Sequence, residues 1–281
     1  MRLGGIGRSR NVEDRRGRGI SGRGGAVGGI GLVGFLAILA FGYFTGVDVT
    51  PLLTGQDSTQ MVASEPTPAE EQEAEFASRV LTTTEQVWTE VFDAQVDGDY
   101  VPPQLVLFSG VTQSPCGGAS GATGPFYCPA DRKAYLDTAF FETMHRQLGA
   151  NGDFAAAYVI AHEVGHHVQN LLGILGQVDN ARRQSSQVEA NALTVRLELQ
   201  ADCLAGIWAQ KVGGLMERGD LQEALNAARQ IGDDKLQRDA GRVPQPHTFT
   251  HGTSEQRERW FATGYDSGDL RSCDTFSADR L

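Results

Sequence analysis

Residues 160–170 read I-A-H-E-V-G-H-H-V-Q-N. His162 and His166 stand four apart in a stretch whose spacing predicts a helix. Both imidazoles then leave one helix face, with Cβ atoms about 6 Å apart. Ring nitrogens at that separation can converge on one tetrahedral zinc ion. Glu163 lies about 100° round the helix from His162. That puts its carboxylate near the open side of such a metal, where it can act as a general base without ligating. The flanking Val159, Ile160, Ala161, Val164, Gly165 and Val168 are uncharged, as a buried helix requires. The competing reading is two core or surface histidines with an incidental glutamate.

A catalytic zinc needs a third protein ligand and one open position. Glu198, in R-L-E-L-Q-A-D-C, is the best candidate, and Asp202 follows four residues later on the same helix face. An aspartate there can accept the second ring N–H of a ligating histidine and fix its tautomer. Glu189, Asp202 itself and His167 are the alternative ligands. His167 is turned by about 100° from His166 and aims elsewhere. A solvated face shared with Arg196 is the bland reading, which the apolar neighbours Leu197, Leu199, Ala201, Leu204 and Trp208 oppose. Further on, residues 250–257 read T-H-G-T-S-E-Q-R. His251 precedes a helix cap and Arg257 lies one turn inside. Both are candidates to stabilise the oxyanion formed when water attacks a peptide carbonyl. The alternative is a capped surface helix whose arginine makes a structural pair.

These groups need a scaffold, and the apolar periodicity outlines one that is mainly helical with a small sheet. Phe76, Val80, Val87 and Val91 repeat at helical spacing. Residues 104–109 read as a strand, and two short strands follow near 125–128 and 133–136 across a turn at Pro129–Asp131. The strand near 133–136 is the expected edge along which a substrate backbone would align. Helices are expected over about 138–148, 153–172 and 186–212, the last with Val188, Ala192, Val195 and Leu199 on one side. Asp220 and Glu223 suggest a capped helix near 221–231, and Thr253 and Gln256 another.

The chain has 281 residues and a net charge of -11. Residues 1–25 carry seven arginines against Glu13 and Asp14. A basic tail on an acidic body argues against nucleic acid as a partner. Residues 26–44 are uncharged and long enough as a helix to cross a bilayer. With no Lys or Arg until Arg79, the positive-inside rule puts the N-terminus in the cytoplasm and the rest outside. The expectation is thus a single-pass cell-membrane protein with a cytoplasmic tail (1–25), a span (26–44), an acidic proline-containing linker (45–75) and an extracytoplasmic domain (76–281). A cleaved signal peptide is the competing reading.

Four cysteines are present and none forms a C-x-x-C pair. An even count in an oxidising compartment suits two disulfides. Cys116–Cys128 would close a glycine-rich loop, worth roughly 3 kcal/mol in the chain-entropy account. Cys203–Cys273 would pin the C-terminal tail to the helix of Glu198. The alternative leaves Cys203 as a reactive thiol.

Several motifs resemble the bacterial membrane-anchored neutral zinc metallopeptidases. They are S-P-C-G at 114–117, G-P-F-Y-C-P-A-D at 124–131, Y-L-D at 135–137, A-H-E-V-G-H-H-V-Q at 161–169, E-L-Q-A-D-C at 198–203 and H-G-T-S-E-Q-R at 251–257. The site is also similar to that of gluzincin peptidases, which pair H-E-x-x-H with E-x-x-x-D and a later H-P-x-x-x-x-R. Gly252 replaces the proline here. The resemblance implies a zincin-like fold with a small sheet against the active-site helix and one zinc per chain, held by His162, His166 and Glu198. It further implies peptide-bond hydrolysis. A tethered protein that binds zinc without turnover is the alternative, as is a hydrolase of non-peptide substrates.

Overall fold

A computed structural model describes residues 1–17, 65–120, 124–141, 144 and 152–281. The fold is α+β and mostly helical. A four-stranded sheet has the order β1-β2-β6-β5, from β1 (Val12–Asp14), β2 (Gln104–Phe108), β6 (Lys133–Asp137) and β5 (Phe126–Cys128). β1, β2 and β6 run parallel, and β5 returns antiparallel to β6 with Tyr127 opposite Ala134. The edge strand beside the helices is therefore β5, because β6 is paired on both sides. That corrects the expectation of an edge near 133–136. A separate hairpin joins β3 (Val111–Ser114) to β4 (Gly117–Ser120).

Alternation along β2 and β6 sorts the sheet's two faces. Leu105, Leu107, Ala134 and Leu136 join the main core with the helices. Val106, Phe108, Tyr135 and Cys128 form a smaller cluster on the other face. Against the main face lie α1 (Pro68–Gln95) and α2 (Asp153–Leu171), then α3 (Ile174–Arg183), α4 (Gln187–Lys211), α5 (Asp220–Gln230), α6 (Asp233–Asp239) and α7 (Ser254–Ser267). The helix expected over 138–148 falls mostly outside the described residues. Asp220 does not cap α5. Gly219 holds that position, and the Asp220 carboxylate accepts the N–H of Glu217 instead. On α4, Val195 and Leu199 are buried, but Val188 and Ala192 are exposed, the first turns instead burying Ala190.

The N-terminal residues are part of this domain. β1 pairs with β2, the N–H of Arg15 donates to Leu107 O at 2.8 Å, and Leu3 is buried in the core. Arg16 pairs with Asp14 at 2.6 Å and Glu71 at 3.1 Å, and Arg8 with Glu75. The expected acidic linker also changes character. A capping box between Thr67 and Glu70 starts α1 at Pro68, so 68–75 are helical.

The expected span, residues 26–44, lies outside the described residues. Among the described residues no helix is long and apolar enough to cross a membrane. The single-pass arrangement, with a cytoplasmic tail and the domain on the far side, is overturned by β1. A tail across a bilayer cannot hydrogen-bond into the domain's own sheet.

Both expected disulfides are present, with Cα–Cα separations of 5.7 Å for Cys116–Cys128 and 5.6 Å for Cys203–Cys273. The helices around the second bridge touch through glycines. A Cβ on Gly264 of α7 would lie 1.8 Å from Cys203 O, and one on Gly206 of α4 would lie 2.1 Å from Phe261 O. Gly264→Ala is therefore expected to force α4 and α7 apart and to lower stability by about 3 kcal/mol or more, the upper end for overpacking. Chemical denaturation checks this, and an unchanged midpoint would show that the two helices can separate without loss.

Candidate metal centre

The apolar run of α2 buries the helix between the sheet and α4, with His162 and Glu163 8% exposed or less and His166 on the rim. α4 crosses α2 where Gly165 faces Ala201, and a Cβ there would stand 3.0 Å from Ala201 O. This close approach lets a carboxylate on α4 reach the imidazoles of α2. Glu198 Oε2 is 3.2 Å from His162 Nε2, and Glu198 Oε1 is 3.4 Å from His166 Nε2. Two ligands about 2.0–2.1 Å from a tetrahedral zinc stand roughly 3.3 Å apart. The two ring nitrogens and the carboxylate thus have both the chemistry and the spacing of a zinc donor set. Glu189 is exposed and bonded to its own helix cap at Ser186, and His167 points away.

Asp202, one turn beyond Glu198, is fully buried. Its Oδ1 accepts from His162 Nδ1 at 2.9 Å, from the Tyr158 hydroxyl at 2.5 Å and from Arg257 Nη2 at 2.9 Å. Its Oδ2 accepts from Arg257 Nε at 2.9 Å. Arg257 is itself buried and also reaches the Tyr158 hydroxyl at 3.2 Å. Its guanidinium is committed to Asp202. The structural pair, rather than a free oxyanion donor, describes it. Tyr158 was not singled out from sequence, although it lies four residues before His162 on the same helical face.

His251 sits differently. It is half-exposed and lines the cleft, with Nδ1 3.0 Å from Thr250 Oγ1 and 3.5 Å from Asp233 Oδ1. Asp233, at the start of α6, holds the turn by accepting the N–H groups of Thr250, His251 and Gly252. Gly252 has φ +88, and a Cβ there would crowd Leu199 and Val195. Proline, with φ fixed near -65° and no N–H, is excluded from this turn. The sequence therefore departs from H-P-x-x-x-x-R for a local backbone reason.

His167 is fully buried with Nε2 donating to Val101 O at 2.6 Å and Nδ1 accepting from the Tyr127 hydroxyl at 3.0 Å. Burial lowers its pKa to about 4, so it is neutral at pH 7. It ties edge strand β5 to α2. Burial opposes charge on Glu198, but His166 and hydrogen bonds from both histidines outweigh it and hold the carboxyl well below its ordinary value. Burial likewise opposes protonation of His162, yet Asp202 and Glu198 raise its pKa to about 10. A metal entering the site therefore displaces a proton. Glu163 is the exception: burial pushes its pKa up, against the pull of His166 and His162.

These groups open into a cleft of about 450 Å³ whose walls include Phe126, Phe140, Leu175, Leu197 and Leu236. The profile of one family, described as "Putative neutral zinc metallopeptidase", matches residues 1–276. The chain belongs to this family. Membership implies zinc and, at that coarse level, a peptidase. The match begins at residue 1, which includes the strand β1 that docks into the sheet. Uncharacterized protein YpfJ of Escherichia coli is 48% identical over 292 residues, covering 98% of this chain and 99% of the relative. Uncharacterized protein Rv2575 of Mycobacterium tuberculosis is 40% identical over 252 residues, covering 84% of this chain and 78% of the relative. No solved structure matches.

Proposed function

We propose that this chain is a peptidase that holds one zinc ion through His162, His166 and Glu198 and hydrolyses peptide bonds with Glu163 as general base, on a zincin-like scaffold. The observation that carries this reading is the pair of 3.2 Å and 3.4 Å separations from Glu198 to the two ring nitrogens. Zinc held there supplies Lewis acidity and lowers the pKa of water toward neutrality. Glu163 takes a proton from the attacking water on its carboxylate and hands it to the leaving amine. Among the described residues no side chain hydrogen-bonds that carboxylate, so its oxygens are free for the transfer.

His251 donates a hydrogen bond from Nε2 to the developing oxyanion, with Nδ1 accepting from the Thr250 hydroxyl at 3.0 Å. The outer edge of β5 aligns the substrate backbone by strand addition, and the apolar walls take its side chains. Arg257 and Tyr158 act through Asp202, which orients His162. The two disulfides suit a protein that works in an oxidising compartment.

Metal analysis beside a cleavage assay on an unstructured protein tests the reading. The wild type is expected to carry one zinc and to lose cleavage when a chelator removes it. Glu198→Ala is expected to lose most of its zinc and its activity together. A Glu198→Ala protein that retains zinc and turnover would reject the donor set. Wild-type protein that binds zinc but cleaves nothing would leave a silent binder.

A further inference from the structure

His166 lacks the carboxylate that His162 has in Asp202. Its Nδ1 is 2.8 Å from Oε1 of Gln169, which lies one turn on along α2 and is fully buried. The amide's orientation follows from its other partners. Gln169 Nε2 lies 2.7 Å from Leu197 O and 3.1 Å from Gln200 Oε1. Gln200 Nε2 in turn lies 2.9 Å from Cys273 O. The two backbone carbonyls only accept, so each must face an amide N–H. Hydrogen bonds therefore run one way along the chain: His166 to Gln169, Gln169 to Leu197 and Gln200, Gln200 to Cys273. With Oε1 turned to His166, Nδ1 must carry a ring proton. The other nitrogen, Nε2, faces Glu198 Oε1 at 3.4 Å and is the one left for a metal.

We propose that Gln169 is the positioning residue of His166. It fixes the ring's tautomer and aim, and is itself held by Leu197 O and by Gln200 anchored on the backbone of Cys273. The proposal rests on the reading above that His166 is a metal ligand. The family match does not assign this role, and the sequence offered Gln169 only as the last residue of A-H-E-V-G-H-H-V-Q, with no function attached. The two imidazoles are thus oriented by unlike partners. A carboxylate shared with an arginine holds His162, and a neutral amide pinned between two helices and the C-terminal segment holds His166. The neutral partner adds no charge to a pocket that already contains Glu163, Glu198 and Asp202.

The test is zinc affinity of the full chain, measured by competition with a chromophoric chelator, with folding of each metal-free variant followed by circular dichroism. Gln169→Leu removes the acceptor for Nδ1–H and is expected to weaken zinc binding about 10–100-fold, the usual scale for such partners. Gln169→Glu keeps an acceptor while losing the donors to Leu197 and Gln200, so it is expected to bind zinc more weakly than wild type but clearly more tightly than Gln169→Leu. A merely structural glutamine would make both variants equally poor, since both lose the same two donated bonds. Equal loss, or no loss in Gln169→Leu, overturns the proposal. Should Gln169→Leu fail to fold, proton NMR on the zinc-loaded wild type decides: a His166 Nδ1–H signal shifted downfield by a hydrogen bond supports the assignment, and one at the position of an unbonded ring N–H rejects it. His166→Ala separates this failure from failure of the metal site. If that variant keeps wild-type affinity, the donor set is wrong. If it loses zinc while Gln169→Leu does not, only the positioning role falls.

Discussion

Glu163→Gln is expected to retain its zinc and to cleave peptides about 10²–10⁴-fold more slowly, the usual contribution of a positioned general base. The side chain is buried, its pKa is pushed up by that burial, and no protein group in the described residues hydrogen-bonds it. An amide of the same shape therefore unpairs nothing but cannot accept the proton. The effect on stability has a definite sign. A carboxyl whose folded pKa is raised above its unfolded value costs the folded state more as pH rises through the unfolded pKa. The neutral amide removes that cost, so the metal-free variant should unfold at the same or a higher temperature than metal-free wild type at pH 7. Zinc content, kcat/KM and Tm are read on one preparation. Near-normal turnover would remove Glu163 from the chemistry. Loss of zinc would mean that the carboxylate takes part in ligation.

The second large effect is expected at Arg257. Its guanidinium makes two hydrogen bonds of 2.9 Å to Asp202, and both residues are buried. Removing one partner from a buried pair leaves an uncompensated charge and costs about 3–5 kcal/mol. Arg257→Leu should therefore be strongly destabilised, and its zinc affinity should fall because Asp202 no longer holds His162 in one orientation. Adding Asp202→Asn should recover part of the loss, since the remaining partner is then neutral. The cycle of two single variants and the double measures this coupling. An oxyanion donor would behave in the opposite way, with turnover cut and folding untouched. A fully stable Arg257→Leu with impaired kcat would thus restore the catalytic reading of this arginine.

The grouping of the candidate ligands was legible because helical geometry is local. Four-residue spacings place His162 with His166, and Glu198 with Asp202, on shared faces whatever the rest of the fold does. Both disulfides were also legible, as four cysteines divided between a glycine-rich loop and a helix-to-tail clamp. The N-terminal segment was misread for a physical reason. An arginine-rich stretch and an acidic stretch each look solvated when taken alone, and only folding makes Arg8 and Arg16 the partners of Glu75 and Glu71. A three-residue strand such as Val12–Asp14 carries almost no periodicity, and its register against Leu105–Leu107 comes from the sheet.

By itself the sequence determined which candidate side chains share a helix face, because residue type and helical spacing are properties of short segments. Tertiary structure alone decided that Arg257 bonds Asp202 and that β5, not β6, lies at the edge of the described sheet. It also decided that Gln169 hydrogen-bonds His166 and that the chain's first residues pair into the domain's sheet. Each of these depends on groups far apart in the chain meeting at hydrogen-bonding distance, and no local pattern encodes such a meeting.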